Sequence, residues 1–97
     1  MQPVMKSEEI RGKFLDDVLK ERKRQIEKER YSASHDDRWK NGELAKAAAY
    51  YALPDDARTS DIWPFADELC KPTPDNRKRE LVKAAALLVA EIERLSR

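Results

Sequence analysis

Apolar positions in this chain fall into three helical stripes separated by breakers. Ile10, Phe14, Leu15, Val18, Leu19 and Ile26 follow the three- and four-residue steps of one helix face. Ser7 offers a cap, and Glu8 and Glu9 sit at the positive end of the helix dipole. The charged run KERKRQIEKER carries the same helix to about residue 30, so the pattern predicts a helix over 8–30. YSASHDD breaks the periodicity, with Ser34, Asp36, Asp37 and Asn41 as competing caps.

A second helix over 37–53 carries Leu44, Ala45, Ala47, Ala48, Tyr51 and Ala52 and stops before Pro54. Its small side chains let neighbouring helices approach closely, which predicts a central position. Residues 54–74 read as a loop in which WPFADELC holds one short helical turn. The last helix spans 75–95, with Thr73 or Asp75 as its cap and Pro74 tolerated in its first turn. Leu81, Ala85, Leu88, Ile92 and Leu95, flanked by Val82 and Val89, give the strongest periodic signal in the chain. No segment alternates with period two. The expected fold is all-α, a single domain over 1–97 built as a small bundle of three main helices plus the short turn.

Composition sharpens this picture. Only 2 glycines stand in 97 residues, and abundant Ala, Leu, Glu, Lys and Arg favour helix. A chain of this length buries a modest core, so a homodimer or higher homo-oligomer is expected, with the alanine-rich helix and the last helix as its contact. Twenty basic residues against 19 acidic ones argue against general nucleic-acid binding. One cysteine and no apolar run of signal or membrane-span length make cytoplasmic residence, in the host cell if phage-encoded, the expectation.

Three clusters carry candidate chemistry. His35, Asp36, Asp37 and Glu43, with Glu80 or Glu91 from the last helix, offer hard oxygen ligands for Mg²⁺, but the plainer reading makes Asp36 or Asp37 a helix cap and leaves His35 on the surface. Arg77, Lys78 and Arg79 put three cations where the helix dipole favours acids. Each costs roughly 0.3–1 kcal/mol when exposed, so the segment, joined by Lys71, reads as an anion site. A solvated cluster offset by Asp75 and Glu80 is the plainer alternative. Trp63 in the WPF loop can stack on a ligand or anchor a partner, or fold back over the core. Cys70 has no evident base in sequence, and no glycine-rich phosphate loop exists.

Taken in order, ERKRQIEKERY, HDDRW, GELAKAA and RKRELVKAAALLVAEIERL resemble short uncharacterised helical proteins of phages and prophages. More distantly they resemble the MazG-like nucleotide pyrophosphohydrolases, over residues 20–53 and 77–95. That resemblance implies an oligomeric all-α fold with Mg²⁺ between helices, and the hydrolysis of nucleoside triphosphates to monophosphates and pyrophosphate. It matches Glu43 and Glu80 to family carboxylates. The sequence departs from the family's glutamate cluster at Asn41, Gly42, Lys46 and Ala47, and Lys83 stands where a partner acid or amide belongs. An ammonium 4 Å from a divalent ion costs about 8 kcal/mol at an effective dielectric near 20. The expectation is therefore a binding protein without a cofactor that captures an anionic, nucleotide-type ligand or a host protein, in a counter-defence role. Mg²⁺ enters only if the pyrophosphohydrolase alternative holds. An oligomeric structural protein without a ligand is the third reading.

Overall fold

The computed structural model describes residues 5–29 and 36–97. Among them the chain forms α1 (Ser7–Glu27), α2 (Glu43–Ala52) and α3 (Arg77–Ser96), with single 3₁₀ turns at Asp55–Ala57 and Asp67–Leu69 and no strand. The all-α bundle expected from composition and periodicity is the fold observed.

Helix boundaries follow local chemistry. Lys6 precedes α1 without a side-chain cap, and Ser7 is already its first helical residue. The second helix starts at Glu43, not near 37, because Gly42 takes the left-handed φ of 83°, which interrupts any helix arriving from Asp36. Glu43 accepts from the Asn41 N–H at 2.8 Å and holds that turn. Neither Thr73 nor Asp75 caps α3; the Asn76 side chain accepts the Arg79 N–H at 3.2 Å.

The carboxyl end of α2 is closed by two guanidinium groups. Arg58 donates to the carbonyls of Tyr50 at 2.7 Å and Tyr51 at 3.2 Å. Arg77 donates to Tyr51 at 2.8 Å, to Leu53 at 3.0 Å and to Ala52. The last carbonyls of a helix lack intrahelical partners, and cations at that end also suit the dipole.

Leu44, Ala47, Ala48 and Tyr51 of α2 meet Ala84, Leu87 and Ala90 of α3 in the core. Trp63, Phe65, Trp39 and Tyr50 cover this cluster. Trp63 stands edge-on to Tyr50, Tyr51 and Phe65 at 5.4–5.6 Å, and its indole N–H donates to the Ala66 carbonyl at 3.0 Å. The WPF loop is a lid over the core. The alanines do bring two helices together, but α3 takes the central place because it packs against both α1 and α2.

The apolar stripes run against expectation. Leu81, Leu88, Ile92 and Leu95 are 46–68% exposed, while the α3 face turned to the core is Ala84, Leu87 and Ala90. In α1 the buried residues are Glu21, Arg22 and Gln25; Ile10, Leu15, Leu19 and Ile26 are 40–64% exposed. Since the alanine face of α2 is consumed inside the chain, it is not available for self-association.

Candidate functional site

Of the acids proposed as metal ligands, Asp36, Asp37 and Glu80 are held by arginines and Glu43 by the Asn41 N–H. Asp36 is fully buried and accepts from Arg22 at 2.8 Å, and the same guanidinium reaches Glu93 at 2.8 Å. Asp37 accepts from Arg97 at 2.7 Å. Glu80 is buried and meets Arg58 at 2.8 Å, Arg77 at 3.3 Å and the Thr73 N–H at 3.0 Å. The Arg58 hydrogen bond holds its carboxyl below the usual range, against the opposing effect of burial. His35 lies outside the described residues, and among those described no group of three His, Cys, Asp or Glu side chains is placed to share a metal ion.

A second polar cluster fills the space between the end of α1 and α3. Glu21 accepts from Arg24 at 2.8 Å and from Arg79. Burial pushes its carboxyl up, but the Arg24 hydrogen bond and the Arg79 charge leave it lowered. Glu29 is lowered chiefly by Lys71, whose ammonium lies 2.8 Å away. Lys83 is 8% exposed; burial, and then the Arg79 charge, push its ammonium pKa down. It donates to the Lys71 carbonyl at 2.7 Å and lies 5.6 Å from the Tyr51 ring centre. The enclosed space here, about 20 Å³, holds one water-sized group. Lys71 and Trp63 belong to this cluster and its cover.

Larger space opens on the other side of Arg79. A groove of about 770 Å³ runs between the first half of α1 and the start of α3. That volume falls within the range of small-molecule sites. Its apolar floor includes Ile10, Phe14 and Val82. Lys13, Lys20, Lys78 and Arg79 line it against a single acid, Asp17. Asp17 pairs with Lys13 at 3.3 Å and Arg79 with Glu21, so Lys20 and Lys78 form no ion pair among the described residues. Lys13 and Lys78 lie 4.5 and 5.8 Å from the Phe14 ring centre. The amino end of α3 faces the same groove through Asn76 and Lys78.

Of the basic run at the start of α3, the groove therefore gathers Lys78 and Arg79, while Arg77 turns away to clamp α2. Sequence reading did not single out Lys13 or Lys20, and it named Phe14 only as part of the apolar stripe of the first helix. Lys13 and Lys20, seven residues apart, share one face of α1, and Phe14 lies on the neighbouring face, a pattern masked by the dense charge of that helix. Comparison with known proteins returns no matching family model, no matching curated protein and no matching solved structure.

Proposed function

We propose that the chain is a small binding module that captures an anionic ligand of nucleotide type in the groove between α1 and α3. One observation carries this reading: four cations line an apolar groove that contains one carboxylate, and two of those cations have no acidic partner among the described residues. Phosphate groups suit Lys20, Lys78 and the amino end of α3, where backbone N–H groups and the dipole favour negative charge. A flat base suits the face of Phe14, which lies among the same cations. Counter-defence, by sequestering a host nucleotide or blocking a host protein, is the role that the phage resemblance adds, and it rests on that resemblance alone.

The pyrophosphohydrolase alternative needs carboxylates with oxygens free for Mg²⁺. Glu80 is engaged by two guanidinium groups, and Lys83, one turn further along α3, contributes a buried ammonium. These features favour capture over hydrolysis. A thermal-shift screen with nucleoside mono-, di- and triphosphates separates the readings. Stabilisation in the presence of a chelator supports capture; stabilisation only with Mg²⁺, accompanied by pyrophosphate release, supports the enzyme.

A further inference from the structure

Among the described residues, a run of exposed apolar side chains borders this groove. On α3, Leu81, Ala85, Leu88, Ile92 and Leu95 recur at steps of four and three, the spacing of a helix seam made to meet another helix. On α1, Leu15, Leu19 and Ile26 form a second exposed line. The two lines are joined by an apolar trough of about 410 Å³ in which Ile10, Phe14 and Val18 face Leu81 and Ala85. By helical geometry Leu15, Leu19 and Ile26 lie on the opposite side of α1 from Lys13, Asp17 and Lys20, while the trough shares Ile10, Phe14, Lys78 and Val82 with the basic groove, so the two surfaces meet along the α1–α3 seam.

We infer that this α1–α3 face is the contact between two copies of the chain, which pair it face to face as a four-helix layer. Two observations favour a second copy over another occupant. First, no residue between 7 and 20 is buried within the chain. A helix of that length is marginal in water without a packed face, so its cover must be present whenever the chain folds, and an identical chain always is. Second, seven side chains that are 40–68% exposed (Leu15, Leu19, Ile26, Leu81, Leu88, Ile92 and Leu95) offer roughly 700 Å², close to what each partner gives a standard stable interface. A two-fold axis lets one self-complementary surface serve both copies.

Sedimentation equilibrium of the full chain tests this. The expected mass is twice 11.3 kDa at micromolar concentration, falling to the single-chain value in the Leu88→Lys/Ile92→Lys variant. Both positions lie outside the chain's own core, so near-ultraviolet dichroism from Trp39 and Trp63 should persist in that variant. Should the variant misfold, hydrogen exchange on the unmodified chain decides: amides of residues 7–20 are protected in the concentrated sample and lose protection on dilution to monomer. A single-chain mass at 200 μM, a variant that stays dimeric, or protection of residues 7–20 unchanged by dissociation would each overturn the inference.

Discussion

The Arg58 guanidinium lies 2.8 Å from the Glu80 carboxylate, with side chains only 3% and 2% exposed. Through this contact one acid joins three parts of the fold. Arg58 and Arg77, both on Glu80, are also the groups that close the end of α2. The Thr73 N–H on the same carboxylate fixes the loop that leads into α3.

Replacing Glu80 by Gln should therefore be costly. It leaves the buried Arg58 charge with only the exposed Asp55 carboxylate, 3.5 Å away, as counter-ion, and breaking a buried pair costs about 3–5 kcal/mol. Urea unfolding should place the variant that far below the parent. Arg58→Met combined with Glu80→Leu removes both charges and should be more stable than Glu80→Gln alone. A Glu80→Gln protein as stable as the parent would show that the pair contributes little.

Acid should act through the same contacts. Glu80, Glu29 and Glu21 have carboxyls held below the ordinary 4.5 by arginine and lysine partners, with burial opposing the shift. A carboxyl with a lowered native pKa binds fewer protons folded than unfolded, so its contribution is complete above 4.5 and is lost as pH falls through the native value. Urea midpoints should be nearly level between about pH 7 and 5 and drop steeply below pH 4.5. A midpoint unchanged down to pH 3 would contradict this.

Close contact between α2 and α3 depends on small residues. Ala47 and Ala90 are wholly buried in the core between these helices, so Leu at either position should overpack it and cost about 1–3 kcal/mol. Ala49, on the exposed side of α2, should accept Leu with a change within about 0.5 kcal/mol, as at other unengaged surface positions. Thermal unfolding of the three variants checks the contrast.

Arg77 and Lys78 are neighbours in sequence with separate tasks, which gives another contrast. Arg77→Glu should lower stability, because it sets a carboxylate against the carbonyls of Tyr51, Ala52 and Leu53. Lys78→Glu should leave the melting temperature within a few degrees of the parent, since Lys78 is exposed and forms no ion pair among the described residues. Differential scanning calorimetry of the two variants separates these effects.

These residues also mark how far sequence reading reaches. The three helices were legible because helix formers dominate and Pro54, Pro72 and Pro74 punctuate the chain, whereas the break at Gly42 was not read and put the start of α2 too early. The choice of buried face was not. Large side chains at Leu81, Leu88, Ile92 and Leu95 give a stronger periodic signal than Ala84, Leu87 and Ala90, yet the smaller set lets α2 approach closely. Polar α1 residues became buried through partners distant in sequence: Arg79 for Glu21, and Asp36 and Glu93 for Arg22. Periodicity carries no information on such pairs. Arg58 looked like an ordinary loop residue for the same reason. Lys78 and Arg79 were legible as cations misplaced for the helix dipole; the α1 half of the groove was hidden among many other charges.

The most direct measurement is calorimetric titration of nucleoside triphosphate into the chelator-treated protein, comparing the parent with Lys20→Glu/Lys78→Glu. Saturable binding that weakens at least tenfold in the variant and with rising salt, at unchanged helicity, is the predicted result. Equal affinity in the two proteins, or no binding by the parent at millimolar ligand, would contradict capture in the α1–α3 groove.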